Sequence, residues 1–351
     1  MERRLVTITE SGHVVVRQEP IPALNAGELL VKVRASLISV GTELGAYQGK
    51  VRSATPEGGY RKFGYQNAGE VVALGEGCRG FAVGQRVACM GANYALHADY
   101  ACVPQNLTVP LPDGVSEEEG AFIALVGTAM QAARRGEVVF GEEVGVFGLG
   151  LVGQLTAQVC QIAGARVLAF DHKELRVKRA QQSGIALATT ATGEEAVAMA
   201  KQTTEGQGLD CAFLCMGGEA TEPLKTAVQM MHEAPDTHRS GKIVIVGGAY
   251  ITHGFGAWLG NLDLRSAART GPGYHDKAYE RGADYPDVFV RWPTQAHLRL
   301  FTRWITEGKL RLKELITDRV PIENAPDICY SLMDSPQEHL GVVLKYNHKD
   351  F

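Results

Sequence analysis

The 351-residue sequence predicts an α/β protein of two domains, one rich in β-strands and one built on a doubly wound parallel sheet. Three observations carry that expectation. Short apolar runs between glycines fill the first hundred residues. From Ser116 onward strand-like and helix-like segments alternate. At Gly148 a glycine-rich turn joins an apolar strand to a helix. The composition agrees: 45% hydrophobic and 21% charged residues supply core material without a bias to disorder. A formal net charge of −4 leaves no basic footprint for nucleic acid and no polybasic membrane patch. Small-molecule partners are expected.

Leu29 to Ala35 alternates apolar and polar residues, as a half-buried strand does. Gly69 to Gly75 and Arg86 to Met90 are similar short runs, and three prolines between Pro104 and Pro112 close this region. Ser116 and Glu119 form a capping box, opening a proline-free helix from Glu117 to Arg135 that Gly136 stops. A strand at Val144–Phe147, a helix at Leu151–Ala163, a strand at Arg166–Phe170 and a helix at Leu175–Ser183 follow. Cys211–Leu214 and Lys242–Val246 are further apolar strands. Thr270 to Pro293 is rich in Gly, Tyr, Asp and Pro and reads as an ordered loop. A helix near His297–Glu307 and an apolar run at Gly341–Tyr346 are expected to return the chain to the first domain. The domains expected are therefore 1–115 with 271–351, and 116–270.

The seven cysteines scatter without a CxxC pair, so neither a disulfide framework nor a structural zinc knuckle is readable. The N-terminus lacks a signal-peptide core, and no apolar stretch is long enough to span a membrane. A cytoplasmic location is the expectation.

Gly148-Leu149-Gly150-Leu151-Val152-Gly153 is GxGxxG, a weak signal by itself in a chain with 41 glycines. Here it follows a strand and opens a helix, the context a dinucleotide site requires. Gly148 allows the tight turn, Gly150 lets backbone approach a pyrophosphate, and Gly153 lets helix and strand pack closely. Asp171 ends the next strand, 18 residues after Gly153. An acid there accepts from both ribose hydroxyls and repels a 2′-phosphate, which favours NAD over NADP. His172 and Lys173 soften that preference, and Arg176 and Lys173 are the groups that would meet a 2′-phosphate. Cys215-Met216 and Val246-Gly247-Gly248 end two later strands, where such sheets bind ligands; ordinary strand-to-loop turns are the alternative reading.

With these parts in this order, the chain resembles the medium-chain dehydrogenase/reductase family over essentially its whole length. The resemblance implies a GroES-like catalytic domain followed by a Rossmann domain. Val40-Gly41-Thr42-Glu43 resembles the family's Cys-Gly-Thr/Ser-Asp motif. Gly64 to Val71 resembles its Gly-His-Glu-x-x-Gly-x-Val motif, and Gly120 to Leu125 the segment supplying a third metal ligand. At the ligand positions this chain has Val40, Tyr65 and Ala124, and Gln66 stands where the family has glutamate. Without thiolate, imidazole or carboxylate, zinc has no usual site, and the four-cysteine structural lobe is missing too. A zinc-independent member is implied. Ser36 to Glu43, Tyr94 to Asp99, Gly271 to Tyr274, Tyr279-Glu280, Asp284 to Pro286 and Val290 to Trp292 together resemble a narrower bacterial subgroup. Some of its members are fused to sugar-oxidoreductase domains of the Gfo/Idh/MocA type. That likeness implies a sugar, glycoside or cyclitol substrate. The family resemblance implies that Thr128 touches the nicotinamide face, the alternative being a helix residue inside the domain interface, and that the protein is a homodimer or homotetramer. The apolar stretch Phe255 to Leu259 is a candidate for burial by a partner.

A dehydrogenase without zinc needs a side chain to take the hydroxyl proton or stabilise the alkoxide. Thr42 matches the hydroxyl that relays the proton in zinc members. Tyr65 either hydrogen-bonds the reacting oxygen or simply fills the vacant metal position. His97 suits a base by its ordinary pKa, though a buried, hydrogen-bonded histidine is the competing reading. Glu43 orients a neighbour or is an ordinary acid, and Gln66 stands beside Tyr65. Tyr94, Tyr274, His275, Asp284, Tyr285, Arg291 and Trp292 are candidates to read substrate hydroxyls or stack on a sugar face; a loop packed by its own aromatics is the alternative. The function expected is NAD-dependent oxidation of a secondary hydroxyl. The rivals are a zinc-free quinone or enone reductase and a catalytically silent NAD-binding regulatory protein.

Overall fold

The computed structural model describes residues 2–48, 58–254 and 256–348, so Phe255, in the stretch expected to meet a partner, lies outside the described residues. The chain divides into two compact units, Met1–Gly127 with Gly271–Phe351, and Thr128–Thr270.

The first unit is organised on the strand Glu28–Ile38. Its alternation puts Leu29, Val31, Val33, Ala35 and Leu37 out of contact with water. The strand Gln66–Leu74 pairs along one side. On the other side Tyr100–Pro104 pairs with its first half and Gly341–Lys345 with its second. Arg86–Met90, Thr108–Pro110 and Ile316–Pro321 complete a seven-stranded sheet. Two register shifts against Gln66–Leu74 bend the central strand. Gly69 is required there, because a Cβ would collide with the Lys32 carbonyl oxygen. A three-stranded sheet, Val14–Pro20, Glu2–Thr9 and Tyr60–Lys62, belongs to the same unit.

The glycine- and tyrosine-rich segment after Thr270 is ordered and docked. Asp276 caps a one-turn helix, Lys277–Glu280, through the Ala278 and Tyr279 amides. The Tyr279 ring fills the space a side chain at Gly273 would need. Asn106 Nδ2 donates to the Tyr279 carbonyl at 2.6 Å, and Gln105 Nε2 to that of Arg281 at 2.7 Å.

Among the described residues the main sheet of the second unit has six parallel strands in the order Leu187–Thr189, Arg166–Phe170, Glu143–Phe147, Cys211–Leu214, Ser240–Val246 and Asn261–Ala267. That is the doubly wound order of dinucleotide-binding sheets. The helices Gly193–Thr203 and Thr221–Met230, not anticipated from the pattern, cover part of it.

Two expectations need correcting. The helix expected from Glu117 to Arg135 is two, Glu117–Gly120 and Ile123–Gly136. The capping box forms as expected, but Phe122 turns into the core and breaks the run. The first domain also extends past 115. Glu117 pairs with Arg86 at 2.8 Å, and Glu118 with Lys345 and Arg319 at 2.8 Å each, so this turn packs with the first unit. Among the described residues no helix is long and apolar enough to cross a membrane.

Candidate functional site

Each unit carries its own cluster of candidate residues. In the second unit, Gly148 follows the strand Glu143–Phe147 with φ of 88°, and a Cβ there would lie 2.9 Å from the Cys215 carbonyl oxygen. A Cβ at Gly153 would collide with the Gly148 carbonyl oxygen. Around Gly150, by contrast, the space is open. The helix Leu151–Ile162 starts at Gly150 without a side-chain cap, the arrangement a bound anion completes. Leu149 and Leu151 are buried, and Val152 is half-buried on the first turn.

Asp171 ties this turn to the next strand end. Its carboxylate accepts from the Leu149 amide at 2.7 Å, the Lys173 amide at 2.9 Å and Arg176 Nη1 at 3.2 Å. His172 is exposed and stands 3.7 Å away. Burial and then Arg176 push the Lys173 ammonium below its ordinary value. At the neighbouring strand ends, Gly247 and Gly248 are exposed, Val246 is buried, and Cys215 and Met216 are half-buried. Burial raises the Cys215 thiol to about 12, so it stays protonated at neutral pH. Thr128 is half-buried on the helix Ile123–Gly136.

In the first unit, residues from five segments converge. Tyr65 precedes the strand Gln66–Leu74, and its hydroxyl bonds the side chains of Ser39 and Thr42. Thr42 and Glu43 lie on one π-helical turn, Val40–Leu44. Burial, then the nearby Glu43 charge, raise the Tyr65 phenol well above its ordinary value. Glu43 is buried, and its Oε2 accepts from the Ser39 amide at 2.7 Å. His97 Nε2 straddles the carboxylate, 3.2 Å from Oε1 and 3.4 Å from Oε2. That leaves Oε1 without a well-directed hydrogen bond. On the other side of the ring, Nδ1 is 2.7 Å from Ser36 Oγ, which is 2.7 Å from the Tyr346 hydroxyl. The edge of the Phe63 ring closes the pocket around the imidazole, centroid to centroid 4.9 Å.

Gln66 is fully buried. Its Oε1 accepts from the Leu125 amide at 3.2 Å and its Nε2 donates to the Leu37 carbonyl at 3.3 Å. It thereby joins the segments carrying Val40, Tyr65 and Ala124. Tyr274 stacks on His275 at 4.0 Å and accepts from the Ala92 amide, and it adds to the raising of the Tyr65 phenol. Buried Glu280 accepts from the Tyr94 hydroxyl at 3.1 Å and the His275 amide at 2.8 Å.

Other loop candidates are engaged elsewhere. Tyr285 stacks on Tyr279 at 4.8 Å and donates to Asp276 at 2.6 Å, while Asp284 Oδ1 accepts from the Tyr285 amide. Trp292 stacks on His297, and Arg291 is exposed. The loop is packed largely by its own aromatics. Sequence reasoning missed Ser39, Ser36, Glu280 and Tyr346. The first three lie in motifs already singled out, whereas nothing local to Tyr346 points to the site.

Comparison with known proteins identifies the family of each unit. A model described as zinc-binding dehydrogenase matches residues 152–271, and one described as alcohol dehydrogenase GroES-like domain matches residues 25–113. The chain is 31% identical over 246 residues to an uncharacterised zinc-type alcohol dehydrogenase-like protein of Escherichia coli, YphC, covering 59% of this chain and 68% of that protein. It is 27% identical over 257 residues to sorbitol dehydrogenase of Bacillus subtilis, covering 65% and 70%. Its fold matches that of 2R,3R-butanediol dehydrogenase from Bacillus subtilis with a TM-score of 0.73 at 20% identity, over 98% of this chain and 100% of that one. The chain belongs to the medium-chain dehydrogenase/reductase superfamily and is a dehydrogenase-type oxidoreductase with a nicotinamide cofactor. The open backbone at Gly150 and the uncapped helix start fit that cofactor. The family's zinc does not fit: Val40, Tyr65 and Ala124 offer an aliphatic chain, a protonated phenol and a methyl group.

Proposed function

Taking that membership as the premise, we propose that this chain is an NAD-dependent dehydrogenase that works without zinc. It oxidises a secondary hydroxyl of a sugar, glycoside or cyclitol-like substrate, or reduces the corresponding ketone. One observation carries the reading: the hydroxyls of Tyr65, Ser39 and Thr42 meet beside a buried carboxylate, and Tyr65 stands at one of the three positions where the family has a metal ligand.

A nicotinamide cofactor held at the Gly148–Gly153 turn and Asp171 would supply the hydride acceptor for the carbinol carbon. Everything else falls to the chain. Because its phenol is held neutral, Tyr65 donates to the substrate oxygen and stabilises the developing alkoxide rather than acting as a tyrosinate base. The substrate proton leaves through the Tyr65 and Thr42 hydroxyls to the Glu43 carboxylate. His97 does not meet the substrate itself; with both ring nitrogens engaged, it backs Glu43. Tyr274 and His275 form a flat stacked pair beside Tyr65 that suits the apolar face of a sugar ring. Asp171 favours NAD through its charge, already placed by two amides.

The test is a screen of sugars, glycosides, cyclitols and simple polyols for NADH formation, with metal analysis of the same protein. We expect turnover at full rate in chelator. About one zinc per chain, lost together with activity on chelation, overturns the metal-free reading. Reduction of enones alone, with NADPH, points to the quinone reductase chemistry instead, and tight NAD binding with no turnover of any kind points to a regulatory protein. Within an active enzyme, Tyr65→Phe lowers kcat more than it raises KM, because alkoxide stabilisation is felt mainly in the transition state.

A further inference from the structure

We infer that Glu280 is a positioning residue that sets the substrate preference of the site: its carboxylate holds His275 in a left-handed backbone and so keeps the Tyr274–His275 pair in place, where ring-shaped alcohols are favoured over open-chain ones. The inference rests on the reading of that pair as the surface that meets a sugar ring, and it adds a buried residue with no part in the proton transfer.

His275 has a φ of 77°, a conformation that disfavours a residue carrying a Cβ by about tenfold. In an extended chain the side chains of neighbours point to opposite faces. The left-handed backbone brings two adjacent rings to one side instead, where they stack at 4.0 Å with 28° between their planes. His275 is exposed and Tyr274 half-buried, so the stacked surface is open to a ligand. Glu280 is placed to offset the strain. Its Oε1 accepts from the His275 amide at 2.8 Å, the amide of the strained residue itself. Its Oε2 accepts from the Tyr94 hydroxyl at 3.1 Å. Glu280 is only 2% exposed, so water competes little for either oxygen.

The same two segments are tied a second time in the opposite sense. Tyr94 reaches from the turn Gly91–Tyr94 to Glu280, and the Tyr274 hydroxyl reaches back to that turn, accepting from the Ala92 amide at 2.7 Å. The preceding amide, of Gly91, donates to the Tyr65 carbonyl at 2.8 Å. Consecutive amides of one turn thus hold Tyr65 and Tyr274, which fixes the stacked pair relative to the proposed alkoxide donor.

The donors explain why the residue is a glutamate. An amide and a hydroxyl both point at it, and a carboxylate supplies two acceptors side by side. Glutamine would keep the amide bond through its one oxygen and give a proton to the Tyr94 hydroxyl, which is half-buried and can turn its own proton to water. Leucine keeps the volume and neither acceptor, so the His275 amide loses its partner and the strain is no longer offset there.

Hydrogen exchange of the full-length protein, read in peptides covering Gly273–Tyr279 and the strand Gln66–Leu74, is compared among wild type, Glu280→Gln and Glu280→Leu. Oxidation of myo-inositol, methyl β-glucoside and butan-2-ol by NAD is measured on the same three proteins. The Gln66–Leu74 peptide, in the same unit, reports whether each variant is folded. We expect the His275 amide to be protected in wild type and Glu280→Gln, and to exchange about tenfold faster or more in Glu280→Leu. In Glu280→Leu, KM for the ring alcohols rises about tenfold with kcat nearly unchanged, while kcat/KM for butan-2-ol stays at the wild-type level; Glu280→Gln restores the ring KM. Loss of structure alone would lower both classes together. A wild-type His275 amide that exchanges like an open chain overturns the inference without any variant. Glu280→Leu with that amide open and the preference for rings unchanged overturns it as well. Wild-type protein that shows no preference for the ring alcohols over butan-2-ol, with the His275 amide still protected, leaves the hold of Glu280 on the backbone standing and overturns the reading of the pair as a sugar platform, so the two failures are separate.

Discussion

Replacing Gln66 by leucine tests how the segments carrying Val40, Tyr65 and Ala124 are held together. The glutamine acts as a cap from outside the helix. Its Oε1 takes the Leu125 amide, one of the first-turn N–H groups that the helix Ile123–Gly136 cannot satisfy itself. Its Nε2 takes the Leu37 carbonyl at the far end of the central strand. Leucine fills nearly the same volume and abandons both. Each orphaned buried group costs about 1–3 kcal/mol. Both bonds are long, 3.2 and 3.3 Å, which places each near the lower end. Extra apolar burial offsets a fraction of the loss. A net destabilisation of about 2 kcal/mol follows. Urea unfolding read by fluorescence measures it, and hydrogen exchange of the peptide around Leu125 shows whether the loss is local. A variant within about 0.5 kcal/mol of wild type, with the Leu125 amide still protected, would refute the capping role.

Two further outcomes are expected. Asp171→Ser weakens NAD binding by about tenfold and narrows the gap to NADP, because it removes both the ribose acceptor and the charge that repels a 2′-phosphate; calorimetry in which wild-type protein prefers NADP rejects the assignment and moves attention to Lys173 and Arg176. Stability should fall in alkali. Burial raises the phenols of Tyr65 and Tyr346 above their unfolded value near 10, so their contribution is intact below that pH and is lost as pH rises from about 10 toward the folded values. Urea midpoints that stay flat from about pH 9 to 11, or a Tyr346→Phe variant that declines as steeply as wild type, contradict this.

What the sequence disclosed is what depends on near neighbours. Gly148, Gly150, Gly153 and Asp171 fall at fixed spacing around one strand and helix, so the turn they form is legible without a fold. The capping box at Ser116 is legible for the same reason. The break at Phe122 is not, because an apolar residue there fits a continuous helix as well as an interrupted one. The strand Glu2–Thr9 escaped the pattern since Arg3 sits on its buried side, where Glu19 neutralises it at 2.6 Å. Tyr285 suits a sugar platform by residue type, but its face lies against Tyr279, which no local pattern reveals. Glu280 and Tyr94 stand 186 positions apart, and no periodicity links them.

The strand Gly341–Lys345 has a consequence for synthesis. It lies between Ile316–Pro321 and the second half of Glu28–Ile38, and the residue after it reaches Ser36 across 310 positions. On the ribosome the early strands emerge long before this partner exists. The nucleotide-binding unit, continuous from Thr128 to Thr270, is complete first. During that interval the edge of Glu28–Ile38 is unpaired and open to wrong partners. When Gly341–Lys345 arrives it closes the sheet and delivers the Tyr346 hydroxyl in the same motion. A nascent chain stalled before Gly341 would thus have a finished cofactor fold while Ser36 still lacked its partner hydroxyl, so the two units mature at different times.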